Sequence, residues 1–368
     1  MTQIQLEIQL IALITAVACA LPGVFLVLRQ VAMMSDAISH TVLLGIVIAF
    51  FVAGSLDSPL LIVGAAIMGV ITVALIEMLT NTRLVKQDAA IGLVFPALFS
   101  VAVILISRYA GNVHLDVDAV LMGELAFAPF DRWQGMGLDL PRGIWLMSGV
   151  LLLNGLLIGL FYKELKLATF DAGLAVALGF SPVVIHYGLM TVVSITAVAA
   201  FEAVGSILVV ALMIGPPAAA YLMTDRLSHM LGLSGLLAAI SAVSGYWLAR
   251  WLDANIAGSM AVMVGLVFLI IFLIAPRRGL LALARRRQQQ RWEFAQTALA
   301  IHLLNHEGKP EADQENRVAH LRDHLRWEEA FAAQVVRRAE AGDLVVRENG
   351  HLVLTENGRF LANQALTH

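Results

Sequence analysis

The sequence has one cysteine, four lysines and few charges of any kind. Cys19 alone cannot close an intrachain disulfide or build a thiolate metal cluster, which excludes disulfide redox chemistry and zinc-finger folds. Only Lys309 among the lysines follows a glycine, and Pro310 after it rules out the Gly-Lys-Ser/Thr phosphate loop, so nucleotide hydrolysis by that route is excluded. Asp, Glu, Lys and Arg supply 14% of the 368 residues, where a soluble domain carries about 25%. The first apolar run, Ile8 to Leu28, has no basic residue before it and no small-residue cleavage site after it, so it reads as a retained span and not a signal peptide.

What is present is hydrophobic: 59% of residues, in runs about as long as a helix needs to cross a bilayer. The runs fall at 8–28, 30–54, 58–80, 89–107, 143–162, 183–201, 204–224, 230–250 and 257–275. At Phe201-Glu-Ala-Val-Gly205 two runs meet without a loop, as a tight hairpin or one interrupted helix, so the count is eight or nine. Alternate loops hold Arg29, Arg83 with Lys86, Lys163 with Lys166, Arg226, and then Arg277, Arg278 and Arg285-Arg286-Arg287. The opposite loops hold only Arg108, Arg132, Arg142 and Arg250. By the excess of basic residues in cytoplasmic loops, the N-terminus is outside and the C-terminus in the cytoplasm.

After Pro276 the charge density rises. Residues 1–276 read as a membrane domain, 277–291 as a basic linker and 292–368 as a cytoplasmic domain. Helical patterns run near Phe294 to Leu304 and Arg317 to Ala341. Two short β-rich runs then flank Asn349-Gly350, a hairpin signal, and a helix follows towards the terminus. The expected architecture is an all-α polytopic membrane protein with a small α+β winged-helix-like domain.

Ionisable groups inside a span are costly and are functional candidates until a partner is found. Asp36 and His40 are four residues apart, on one face of a helix. If that helix begins near Arg29, Asp36 lies about 10 Å along it. A carboxylate and a neutral imidazole suit manganese, zinc or iron(II), whereas calcium and magnesium prefer oxygen alone. Two ligands are too few for a tetrahedral site, and a two-fold dimer would supply four. The competing reading makes Ser35 or Asp36 a helix cap, with His40 bonded to a carbonyl. His114, Asp116 and Asp118 alternate as strand neighbours would, either as a place where a cation is admitted or as a solvated loop. The segment Tyr162 to Pro182 reads as a short alanine-rich helix, capped near Asp171 and ended by Gly179 and Pro182. It is either a docking site for a soluble partner or an interfacial helix with none.

Four motifs carry a family resemblance: Ser35-Asp-Ala-Ile-Ser-His40 with Gly45; Asp88-Ala-Ala-Ile-Gly-Leu-Val-Phe95; the Leu165 to Gly179 loop; and Ala203-Val-Gly-Ser-Ile-Leu-Val-Val-Ala-Leu-Met-Ile-Gly-Pro-Pro217 with Thr224-Asp-Arg226. In this order they resemble the permease subunits of bacterial ABC importers for manganese, zinc and iron. The resemblance implies that the family's translocation-site aspartate and histidine are Asp36 and His40. It implies a separate ATPase docking on Thr169, Asp171, Ala175, Leu178 and Gly179, an extracytoplasmic solute-binding protein, and a second permease copy, identical or paralogous. No permanently bound cofactor is implied: the metal is cargo, ATP binds the partner subunit, and this chain is not an enzyme.

The tail resembles the winged-helix part of iron- and manganese-dependent repressors, at Val335-Val-Arg-Arg-Ala-Glu-Ala-Gly-Asp-Leu-Val-Val-Arg347 and Leu354-Thr-Glu-Asn-Gly-Arg359, which implies manganese or iron before zinc. From Trp292 onward, 8 Lys/Arg stand against 12 Asp/Glu, a balance opposed to phosphate contacts, so no nucleic-acid partner is expected. His302 with His306, and His320 with His324, share the i, i+4 spacing of a metal pair, which surface histidines also reach by chance. The leading expectation is alternating-access import. The alternatives are a membrane-anchored metal-responsive regulator and an ion-coupled secondary carrier.

Overall fold

The chain becomes helical earlier than its apolar pattern. In the computed structural model, which describes residues 2–55, 58, 60–109, 125–135, 138–309, 321, 325–348 and 350–367, α1 is Gln3–Leu28. Thr2 and Gln5 form a reciprocal capping box at its start. Glu7 then enters the helix, buried, because Arg132 Nη1 donates to both its oxygens at 3.1 and 3.3 Å. A lone acid ends a hydropathy pattern, but a paired one need not end a helix. Arg132 opens an antiparallel hairpin of β1 (Arg132–Gly135) and β2 (Leu138–Pro141), an element with no signal in the sequence.

Residues divide into two units, Met1–Gly279 and Leu280–His368. The first continues with α2 (Met33–Ala53), α3 (Leu60–Asn81), α4 (Gln87–Tyr109), α5 (Arg142–Leu160), the short α6 (Tyr162–Phe170) and α7 (Ala172–Ala177), α8 (Pro182–Met223), α9 (Leu227–Leu252) and α10 (Ile256–Ile274). Among the described residues nine helical segments are long and apolar enough to span a membrane, with α8 contributing two, Pro182–Phe201 and Ala203–Met223. Helix α1 and the second half of α8 are the most buried, α4 and α10 the least, so the first pair forms the centre.

The ambiguous junction is one helix broken at Gly205, whose backbone sits at φ 74°, ψ 163°. Contacts with α1 show the direction of the break. Asn154 Nδ2 donates to Ala18 O (2.9 Å) and to Thr196 Oγ1 (3.0 Å), while the Met213 backbone lies directly against Gly23. A straight helix would separate Thr196 from Met213 by about 25 Å, yet their neighbours on α1 are only about 7.5 Å apart. The two halves therefore fold back on each other, and a glycine-only conformation takes the place of a loop.

Helices gain no hydrophobic energy by meeting in lipid, and they associate through small residues and hydrogen bonds. Helices α2 and α3 show both devices. Gly45 lies so close to the Gly64 carbonyl that a Cβ would overlap it, and Gly64 likewise faces the backbone of Gly45. Thr72 donates to Thr41 Oγ1 at 2.7 Å between the same two helices.

The second unit comprises α11 (Leu280–His306), α12 (Glu329–Ala341), β3 (Val345–Glu348), β4 (His351–Leu354) and α13 (Glu356–Thr367). Leu299, Leu303, Val335, Val336, Leu352 and Ala362 form its core. The strands pair antiparallel, Val345 opposite Leu354 and Glu348 opposite His351, so the hairpin and the following helix stand where the sequence puts them. The basic segment expected as a linker is helical from Leu280 onward. The pattern from Arg317 to Ala341 is not one helix: residues 326–328 are non-helical and Arg326 has φ +53°, so α12 starts only at Glu329.

Gly205→Ala forces a side chain into that positive-φ conformation and should cost roughly 1–3 kcal/mol. Gly45→Ala, which overpacks the α2–α3 contact, should cost about 1–3 kcal/mol. Gly92, whose added Cβ meets open space, is the control. Thermal unfolding of the detergent-purified chain measures all three, and equal midpoints would refute both accounts.

Candidate metal centre

Arg29 ends α1, Gln30 turns the corner at φ +60°, and α2 starts at Met33. That corner corrects the expected depth: Asp36 is in the first turn of α2, and His40 lies about 10 Å along the axis from Met33. It also removes the capping alternative, because the N-cap is Ala32, without a side-chain cap, and the Ser35 hydroxyl donates to the Ala32 carbonyl at 2.7 Å. Asp36 Oδ1 and His40 Nε2 are 3.5 Å apart, with each side chain about 30% exposed (30% and 29%). Aromatic rings of α4 hold the imidazole: Phe95 stacks at 5.4 Å and Phe99 meets it edge-on at 5.9 Å. The pair is thus fixed from its own helix and from α4, and part of its surface is left open. Among the described residues no three His, Cys, Asp or Glu side chains converge as a metal site.

A second polar cluster joins four elements at the helix ends that carry the basic loops. Arg29 Nε donates to Thr169 Oγ1 at 3.1 Å, and Arg29 Nη1 lies 3.4 Å from His186 Nδ1. His186 Nε2 stands 2.7 Å from Glu77 Oε1, and the Tyr187 hydroxyl donates to Glu77 Oε2 at 2.6 Å. Burial lowers the pKa of Arg29, and its guanidinium remains a cation and a pure donor. Sequence reasoning treats Glu77 as a structural or interface group near a helix end and passes over His186. Each looks like an ordinary helix-end residue, and its partner lies more than 100 positions away.

Between α5 and α8, Thr169 sits in α6 and faces Arg29. Asp171 Oδ1 accepts the Leu174 N–H at 2.8 Å and so caps α7. Ala175 is buried, Gly179 reverses the chain at φ +86°, and Pro182 opens α8. Phe170, Leu174, Val176, Leu178 and Phe180 are exposed, an apolar surface at the edge of a bundle whose other ends are charged. His114, Asp116, Asp118 and Glu124 lie outside the described residues, as do His320 and His324. The rings of His302 and His306 are neighbours at 4.8 Å on α11.

A family model described as "ABC 3 transport family" matches residues 1–275. The zinc transport system membrane protein TroD of Treponema pallidum is 48% identical over 361 residues, 98% of each chain, and so matches through the second unit as well. The manganese transport system membrane protein MntD of Bacillus subtilis is 50% identical over 269 residues, 73% of this chain and 91% of that one. Among solved structures, PsaBC from Streptococcus pneumoniae in complex with Fab aligns with a TM-score of 0.65 and 29% identity, covering 77% of this chain and 96% of its own. These matches displace the secondary-carrier and tethered-regulator alternatives. The chain belongs to the ABC 3 transport family, as the membrane permease subunit of an ATP-binding-cassette metal importer.

Proposed function

We propose that Asp36 and His40 form half of the ion's stopping point, completed by the corresponding pair of a second permease copy, identical or paralogous. The observation that carries this reading is their 3.5 Å separation on one partly open helix face. Two ligands held about 2.1 Å from one tetrahedral ion are themselves about 3.4 Å apart, so the pair already stands at the spacing an ion requires. One carboxylate and one imidazole per chain make a four-ligand set when doubled, and the donor types suit manganese, zinc and iron(II) alike; the repressor-like tail is what puts manganese first. TroD is named for zinc and MntD for manganese, so the relatives divide over the same short list.

In this reading the amino terminus is outside and the second unit cytoplasmic. A solute-binding protein delivers the ion at the outer face, where His114, Asp116 and Asp118 first receive it. The separate ATPase docks on Thr169 to Gly179, using the exposed Leu174, Val176 and Leu178. Its closure turns the path from outward-open to inward-open. The second unit, Leu280–His368, has the helix–hairpin–helix order of a winged helix. Its acidic balance favours a protein partner or metal sensing over DNA.

His40→Ala and Asp36→Ala should each lower metal accumulation at least about tenfold, since even changes to groups that only orient a metal's ligands cost that much. Cells expressing the chain with its ATPase, at matched membrane levels and across Mn, Zn and Fe(II), provide the measurement. The metal whose uptake collapses is the cargo, and unchanged uptake of all three would move the stopping point to His114, Asp116 and Asp118. Leu178→Asp, which introduces a charge on the docking surface, should weaken ATPase binding by about 2 kcal/mol, or thirtyfold. Copurification of the ATPase reads this directly, and full retention would place the dock elsewhere.

A further inference from the structure

The Arg29 cluster connects the segment read as the ATPase dock to the helix that carries Asp36 and His40. Its first link is Thr169 of α6 to Arg29, which stands at the corner leading seven residues later to Asp36. Its second is Arg29 to His186. A guanidinium only donates, so Nδ1 of His186 accepts and the ring proton sits on Nε2, the nitrogen that lies 2.7 Å from Glu77 Oε1. Glu77 lies near the C-terminal end of α3, and α3 is fixed to α2 by the Gly45–Gly64 backbone contact and the Thr72–Thr41 hydrogen bond. Each polar link is 3.4 Å or shorter, and the final one is a helix pair too close to slide. A displacement of α6 therefore reaches Asp36 and His40 by two routes, along the chain through Arg29 and across the α3–α2 pair through Glu77.

The charge pattern makes the link resist separation. Withdrawing Glu77 from His186 and Tyr187 would leave a half-buried carboxylate without two short polar contacts, which is unfavourable. The link therefore favours joint movement of the elements it joins. Resting on the reading of Thr169 to Gly179 as the ATPase dock, we infer that Arg29, His186 and Glu77 are positioning residues that transmit movement of α6 to the Asp36–His40 pair. They touch neither the ion nor the nucleotide.

The test uses the complete transporter in lipid vesicles, with ATPase and binding protein, and reads metal ions moved per ATP hydrolysed. Glu77→Gln and His186→Gln should each lower that ratio by about fivefold or more, the lower end of ordinary coupling strengths, while ATP hydrolysis and ATPase copurification persist. The double variant should be no worse than either single, because both break one link. Thr169→Val, which removes only the hydroxyl that Arg29 contacts, should act in the same direction even where the charged-site variants fold poorly. An unchanged ratio in Thr169→Val and either folded single overturns the inference, as do additive losses. Loss of ATPase copurification in step with transport also overturns it, since the cluster would then merely shape the dock. Failure of the docking reading shows separately, as full ATPase retention by Leu178→Asp, and removes the starting point of the relay.

Discussion

The close backbone contact between α2 and α3 is the constraint on which the candidate site depends. In hydrocarbon, two apolar helices have no solvent to expel, so their attraction comes from dispersion at short range and from hydrogen bonds. Gly45 facing the Gly64 carbonyl brings the axes close enough for Thr72 to reach Thr41, one residue from His40. The face of α2 that carries Asp36 and His40 is then rotated away from α3, against Phe95 and Phe99 of α4. A larger residue at position 45 would disturb not only stability but the direction in which Asp36 and His40 point.

The reversal at Gly205 has a comparable effect on the centre of the bundle. A loop between two spans requires polar residues and room at the membrane surface, whereas one residue in a conformation open to glycine needs neither. Both halves of α8 thereby pack on α1, with Asn154 joining the first half to the Ala18 carbonyl and Met213 of the second half against Gly23. The first half carries His186 and Tyr187 in its first two turns, and the second ends beside Asp225, which pairs with Arg277 and Arg278 beyond the last span. The single break thus sends both ends of α8 back to the side where the basic loops lie.

Much of this was legible in the sequence. The apolar runs gave the spans, the i, i+4 spacing placed Asp36 and His40 on one face, and Asn349-Gly350 marked the second hairpin. These signals are local, carried by residues within a turn or two of one another. What was not legible depends on tertiary partners. Glu7 looked like the end of the apolar region because Arg132, 125 residues away, was not yet beside it. The Arg29, Glu77 and His186 cluster has no pattern at all in one dimension. The depth of Asp36 was overestimated because nothing in Arg29-Gln30-Val31-Ala32 announces a corner, and Gln30 adopts a positive φ without being glycine.

The incompleteness of the site is informative in itself. A buried four-ligand site within one chain would bind its metal tightly and release it slowly, which suits a structural ion but not one that must leave at each turnover. In the proposed reading, with two ligands per chain, the full set exists only while two faces are opposed, so a small change in their separation switches the site between four ligands and two. Affinity for the ion is then governed by the relative position of two helices rather than by the chemistry of the side chains. A protein organised in that way has to hold each half rigid, so that movement occurs between the halves and not within them. The glycine contact of α2 with α3 and the aromatic clamp on His40 supply that rigidity within one half.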